Sequence, residues 1–380
     1  MTSRDARDFP SLIDFAQNKL GVLDAAGLRR DLSPNDRAGP ARILRNGRVL
    51  LSFCCNDYYS LSRHPKVIAA AARALAEFGA GAGASRLVTG NSSLYAALEE
   101  KLAAMKGAEA ALVFGSGYLA NMGVIPALVG AGDVILIDSL AHACMFAGAR
   151  LSGATMKIFR HNDLDHLRDL LGARAARTLV LTETVFSMDG DRAPAAAMRA
   201  LCVESGAWLL TDDAHGLGRE DESRAPLQLG TLSKGAGSYG GYLCAPTPVI
   251  ELMKSRARTL VFSTGLPPAS LAAAKAALDI IETEPARCAR PTKLAALFCE
   301  ALGLPAPESP IVPLIIGAPQ AALAASKHLE AEGFLVTAIR PPSVPAGTAR
   351  LRVTFCADHQ ESDVLRLADS IRRTGAPPPR

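Results

Sequence analysis

Long apolar runs are missing from this 380-residue chain, although 49% of it is hydrophobic. The longest stretches, such as Val124 to Leu128 and Val134 to Ile137, end at Gly or Asp, well short of the ~20 residues a membrane helix needs. Met1 to Pro10 mixes both charge signs around no apolar centre, which is not the pattern of a signal peptide. Blocks of one charge are scarce too. The 41 basic and 37 acidic residues are dispersed to a net +4, and no basic run interleaves with aromatics. Neither a nucleic-acid surface nor a membrane contact is expected. Cysteines 54, 55, 144, 202, 244, 288, 299 and 356 form no C-x-x-C pair and join no His-rich cluster. They read as reduced core thiols of a cytoplasmic protein, not as disulfides or metal ligands.

Alternation is what the chain does have. Helix-like, Ala/Leu-rich stretches run from His64 to Phe78, Ser92 to Met105, Asp163 to Ala175, Ala195 to Ser205 and Pro268 to Ile281. Strand-like runs are Ala110 to Phe114, Val134 to Asp138, Thr155 to Phe159, Thr178 to Glu183, Ala207 to Thr211 and Gly240 to Cys244. This order predicts an α/β fold, a mainly parallel sheet flanked by helices in a large domain over 49–281. From Glu282 the pattern becomes helix, strand (Ile311 to Ile316), helix (Ala321 to Glu332), strand (Leu335 to Ile339), strand (Arg350 to Phe355) and a last helix (Glu361 to Arg372). That suits a small α+β domain over 282–380, ending in a disordered Pro377 to Arg380 tail.

The most informative grouping is Thr211-Asp212-Asp213-Ala214-His215-Gly216, followed by Thr231-Leu232-Ser233-Lys234-Gly235. Singly, each residue has an ordinary explanation: a strand-end Asp caps a helix, and most lysines are solvated. Together they suit an enzyme holding an aromatic aldehyde cofactor. The amine forms an imine, the carboxylate keeps the ring nitrogen protonated, and the histidine fixes the ring hydroxyl. Sites in parallel sheets gather beyond the carboxyl ends of strands. Ser116, His142, Glu183, Asp212 and Lys234 all fall at or just after such ends.

Seven blocks, Gly83 to Asn91, Gly115 to Tyr118, Asp138 to Ala143, Val185 to Asp191, Asp212 to Gly216, Phe262 to Pro268 and Ala338 to Pro345, carry a family likeness. From about Leu20 to the final helix the chain resembles the fold-type-I pyridoxal-phosphate enzymes. Among these it is most similar to the α-oxoamine synthases, which join an amino acid to an acyl-CoA. The resemblance implies a fold-type-I transferase with pyridoxal 5'-phosphate on Lys234, and an N-terminal segment (1–48) packed with the small domain. It puts Asp212 on the pyridine nitrogen, His215 and Ser187 on the ring hydroxyl, His142 against the ring face, and Glu183 among the cofactor-binding residues. Ser116, Gly117 and Tyr118, at a helix start, would cradle the phosphate, joined by Thr231 and Ser233. Thr264 would reach the phosphate held by a neighbouring subunit, which implies a homodimer with shared sites. Arg352 and Asn56 would take the amino-acid carboxylate. Arg340 and Arg29 would meet the distal end of the acyl group. Asp213 reads as a structural cap.

Thr337 to Arg352, with His161-Asn162-Asp163 and Ser187 to Asp191, is most like the synthases that condense L-alanine with pimeloyl-CoA, or another pimeloyl thioester, in biotin synthesis. A glycine and acetyl-CoA ligase is the alternative within the family. Outside it, a catalytically silent scaffold subunit is countered by the intact Lys234, Asp212 and His215. A nucleotide-binding oxidoreductase has only Gly235 to Gly241 in its favour, which follows a lysine and leads into a strand. Three departures from the family pattern stand out. Tyr95 replaces a usual His, Tyr59-Ser60 replaces Leu-Gly, and the Gly218 to Leu229 connector is short, without its Gly-rich turn.

Overall fold

The computed structural model describes residues 10–172, 177–219 and 223–373. Seven strands form the main sheet, in the order Ala110–Phe114, Gly241–Ala245, Leu227–Thr231, Trp208–Asp212, Thr178–Glu183, Val134–Asp138, Thr155–Phe159. From Leu227–Thr231 to Thr155–Phe159 every pairing is parallel. Gly241–Ala245 alone runs antiparallel to both its neighbours. Parallel strands need crossovers, and crossover helices cover a sheet's faces, so the central strands have to be apolar on both sides. Every residue of Leu227–Thr231 and Gly241–Ala245 is buried accordingly.

Most expected elements recur with ends moved by one or two residues, among them the helices Pro65–Phe78, Ser93–Lys106, Ala195–Ser205 and Pro268–Thr283. Three differ for identifiable reasons. The expected helix from Asp163 stops at Leu171, before Gly172, and residues 173–176 lie outside the described chain. The strand expected over Leu335 to Ile339 divides at Val336: Phe334–Leu335 pairs with Arg48–Ser52, whereas Thr337–Ile339 pairs with Ala349–Thr354. The helix that the sequence opens at Leu119 starts earlier and spans Gly117–Leu128, because the Ser116 hydroxyl accepts from the Leu119 N–H at 3.1 Å and caps it.

A second core gathers Phe53, Phe298, Phe355, Leu351 and Val353 between the antiparallel sheet Ile311–Gly317, Ala349–Thr354, Thr337–Ile339 and the helices Pro285–Leu302 and Glu361–Arg373. Arg48–Ser52 joins Phe334–Leu335 in a four-stranded sheet, and the chain then runs through residues 53–61 towards the main sheet. No helix among the described residues is long and apolar enough to cross a membrane. Met1 to Phe9, residues 220–222 of the short connector, and the Pro-rich tail lie outside the described residues.

Candidate active site

Asp212 ends its strand fully inside the protein. Its carboxylate accepts from the Asn121 side chain at 2.8 Å and from the Ala214 N–H at 3.0 Å. The turn that follows carries His215, buried between two partners: Nδ1 lies 2.6 Å from the Tyr58 hydroxyl and Nε2 lies 2.8 Å from Lys234 Nζ. Lys234 arrives from the next strand, Leu227–Thr231. Gly237 beyond it has φ +61°, and a Cβ there would lie 2.3 Å from the Ser62 nitrogen, so only glycine lets this loop close.

Arg352 forms the opposite wall. It lies in Ala349–Thr354, 5% exposed, and donates from Nε to the Ser187 carbonyl at 2.5 Å and from Nη1 to Asn56 Oδ1 at 3.0 Å. Among the described residues no carboxylate pairs with it. Between the walls is a cavity of about 290 Å³ lined by Cys54, Asn56, His142, Ser187, Met188, His215, Lys234, Thr337, Ile339 and Arg352. Residues from both cores therefore meet around Lys234.

Burial sets the protonation states here. It lowers the Lys234 amine, against the pull of the Asp212 and Glu183 charges, so more of the amine is neutral than on a solvated lysine. Burial raises Asp212, opposed by Lys234 and the Asn121 bond. Glu183 is raised well above the carboxylate range by burial and then by the Asp212 charge; its Oε1 is buried without a partner. His215 is pushed well down by burial, with Lys234 and Arg352 adding to the effect, and stays neutral. Burial also lowers His142, which caps the helix Ala143–Ser152 and accepts from the Cys144 N–H.

Beyond Lys234 lies a tight polar corner at the start of Gly117–Leu128. The Thr231 and Ser233 hydroxyls are 2.7 Å apart, and Thr231 sits against Gly117, where a Cβ would come within 3.2 Å of its own Cβ. A Cβ on Gly241 would meet the Ser116 carbonyl carbon at 2.3 Å. Helix N–H groups, two hydroxyls and glycine clearance are a donor set that would suit a phosphate. With a buried carboxylate and a half-buried amine alongside, this donor set fits pyridoxal phosphate.

Several sequence-assigned residues lie away from this cavity. Tyr118 is 51% exposed on the first turn of its helix, and Thr264 is exposed, bridging to Ser85. Arg340 donates to the backbone carbonyls of Gly27 and Arg29, and Arg29 pairs with Asp24. Asp213, read as a cap, instead accepts from Lys106 at 2.6 Å and Thr184 at 2.5 Å. Tyr95, in place of the usual His, accepts from the Leu266 N–H at 2.6 Å beneath the Arg86 guanidinium. Tyr58, Asn121, Cys54, Met188, Thr337 and Ile339 belong to the site without having been singled out. Met188, Thr337 and Ile339 stood inside the family-like stretches and Tyr58 stands two residues after Asn56, whereas Cys54 and Asn121 stood in no motif.

Comparison with known proteins gives the family. A profile of the aminotransferase class I and II family matches residues 48–371. The 8-amino-7-oxononanoate synthase of Methylobacterium sp. (strain 4-46) is 62% identical over 370 residues, which cover 96% of this chain and 98% of that protein. A serine palmitoyltransferase of Sphingomonas wittichii superposes with TM-score 0.89 at 31% identity, over 97% of this chain and 98% of that one. A serine palmitoyltransferase from S. paucimobilis, bound to a PLP–myriocin aldimine, gives TM-score 0.88 at 28% identity, again over 97% and 98%. The chain therefore belongs to the aminotransferase class I and II family, as a pyridoxal-phosphate-dependent acyltransferase of the α-oxoamine synthase kind.

Proposed function

We propose that this chain condenses L-alanine with pimeloyl-CoA, or another pimeloyl thioester, to give 8-amino-7-oxononanoate, CoA and carbon dioxide, a step of biotin synthesis in the cytoplasm. Near-full-length relatives at about 60% identity bear the name of that synthase. The observation within the chain that carries the reading is Arg352, a buried guanidinium without a carboxylate partner among the described residues, facing Lys234 across a small cavity. A buried cation is costly unless an anion meets it, and an amino-acid carboxylate supplies one.

Bound pyridoxal phosphate supplies an electron sink for negative charge on the amino acid's α-carbon. Lys234 would hold it, Asp212 would face the ring nitrogen, and Ser116, Gly117, Tyr118, Thr231 and Ser233 would hold the phosphate. His215, with Ser187, would bond the ring hydroxyl, His142 would cover the ring face, and Glu183 stands close by. Arg352 and Asn56 grip the alanine carboxylate and so fix the direction of the Cα–H bond. The neutral amine of Lys234 is the base that takes this proton onto Nζ, which its lowered pKa favours. His142 polarises the thioester carbonyl as the thiolate leaves, and Lys234 returns a proton to carbon after carbon dioxide departs. Arg29 and Arg340 are assigned to the far end of the acyl chain.

The active unit is proposed to be a homodimer. Leu87, Val88 and Phe262 are 55%, 73% and 72% exposed beside the Ser85 and Thr264 bridge, and the helix Pro10–Ala25 buries none of its residues. Apolar surface of that kind favours a second copy, whose Thr264 would complete the first copy's phosphate site. The division into 1–48, 49–281 and 282–380 is proposed alongside, supported by the pairing of Arg48–Ser52 with Phe334–Leu335.

The deciding experiment is thiol release across alanine, glycine and serine against an acyl-CoA panel. Alanine with pimeloyl-CoA should be the best pair. If glycine with acetyl-CoA is preferred, the ligase reading replaces this one.

A further inference from the structure

His161 lies outside the cavity, yet it bonds to Asp138 and Asp191, at the feet of two of the loops that line it. Its Nδ1 is 2.9 Å from Asp138, the last residue of Val134–Asp138, and its Nε2 is 2.7 Å from Asp191. Asp138 anchors the turn to His142: it is fully buried and accepts from the Leu140 N–H at 2.8 Å and the Asn162 N–H at 3.0 Å. Asp191 closes the loop that carries Ser187 and also accepts from the Asn162 side chain at 3.0 Å. Asn162 has φ +54°, a conformation that Asn tolerates better than most residues, and its backbone and side chain hold one carboxylate each. The His161 ring stands edge-on to Phe186, next to Ser187, at 4.4 Å and 87°.

A neutral imidazole has one N–H and one lone pair. Here both ring nitrogens face carboxylates, so a good bond on both sides requires the imidazolium. Burial alone would lower the His161 pKa, but the hydrogen bonds and charges of Asp138 and Asp191 outweigh it and raise the value to about 10.

Taking His142 and Ser187 as cofactor-facing, as proposed above, we propose that His161 is a positioning residue: it ties the turn bearing His142 to the loop bearing Ser187, so that the two hold one spacing around the cofactor. Asp138 fixes one end through the strand, and Asp191 fixes the other through the loop. The same loop reaches the substrate side, because Asp189 pairs with Arg350 at 2.5 Å and the Ser187 carbonyl accepts from Arg352. A slack tie would therefore displace the Arg352 wall along with the Ser187 wall.

Two measurements on the cofactor-loaded enzyme test this. Histidine side-chain nitrogen NMR at pH 8 should show a ring with protons on both nitrogens, missing from the His161→Gln protein. If no such ring exists at pH 8, the tie is overturned. In His161→Gln, kcat should fall on the order of tenfold or more, as expected for small misplacements near reacting groups, and the visible circular dichroism of the bound cofactor should change. Values of kcat, KM and dichroism all within twofold of the parent, with only the melting temperature lowered, would reduce His161 to a structural residue. Should His161→Gln fail to fold, Asp191→Asn keeps the ring on Asp138 and removes only the loop's charge, and it is judged by the same criteria. The NMR and dichroism involve neither alanine nor an acyl thioester, so a wrong substrate assignment leaves them unaffected.

Discussion

Arg352→Lys is the sharpest test of the substrate wall, because it keeps the charge and removes only the fork. In the parent, Nε donates to the Ser187 carbonyl, Nη1 to Asn56 and Nη2, at 3.4 Å, to the Tyr58 hydroxyl, which fixes the guanidinium plane along the cavity wall. A lysine amine has no rigid plane; it would keep one contact with a substrate carboxylate and lose the second. One charge-assisted hydrogen bond is worth about 1.5–3 kcal/mol, which converts to a loss of roughly 10- to 150-fold in kcat/KM for alanine. The loss should be read in kcat/KM for alanine, since the same contact both binds the carboxylate and orients the Cα–H bond. The assay is initial-rate thiol release with alanine varied at saturating acyl-CoA. The KM for the acyl-CoA should move little and serves as the internal control. A kcat/KM for alanine within threefold of the parent, in a protein that keeps its melting temperature, would show that Arg352 does not hold the carboxylate.

Gly241→Ala puts a methyl group 2.3 Å from the Ser116 carbonyl carbon, so the cradle must shift; pyridoxal phosphate affinity, read by absorbance titration, should weaken by roughly 10- to 100-fold for one or two lost charged hydrogen bonds. Lys106→Met strands Asp213, whose side chain is 2% exposed. Urea unfolding should show a loss of about 3–5 kcal/mol, largely recovered by adding Asp213→Asn. His359 accepts from the Cys356 N–H at 3.0 Å, lies 2.9 Å from the Ser52 carbonyl and stacks on Phe53, and burial pushes its pKa down to about 4. A folded value below the unfolded ~6.5 favours the neutral ring, so its contribution is whole above that pH and falls by about 3 kcal/mol as pH drops to 4. His359→Gln should flatten that slope in acid titrations of stability.

Much of the site was legible because its chemistry interrupts the pattern around it. Asp212, His215 and Lys234 stand at the ends of apolar runs, where a charge or an imidazole is conspicuous, and the parallel-sheet rule gives those ends a common edge. The strand Leu227–Thr231 was not legible: Gln228, Gly230 and Thr231 dilute its apolar signal, although all are buried in the sheet. Tyr58 and Asn121 went unassigned for a different reason. Their roles are set by the partners they meet, and those partners, His215 and Asp212, are distant in sequence. Asp213 shows the same limit. A cap is a local device that sequence can suggest, whereas a buried pair with Lys106 has no local trace.

The site's chemistry and its poor local energetics have one origin. Lys234, Asp212, Glu183 and Arg352 lie together beneath the junction of the two cores, and burial moves the first three toward their neutral forms. A protein selected only for stability would replace such groups with apolar ones, because desolvating charges rarely returns its cost. Under the proposed function they would be tolerable because incoming groups would complete them: a phosphate at the helix start, a ring nitrogen at Asp212 and a carboxylate at Arg352. Each of those partners also fixes an orientation that the reaction needs. The side-chain bonds that hold these charged groups in shape, Asn121 on Asp212 and Asn56 on Arg352, come from neutral side chains. Neutral partners orient a charge without cancelling it, which leaves its attraction available to the cofactor and the substrate.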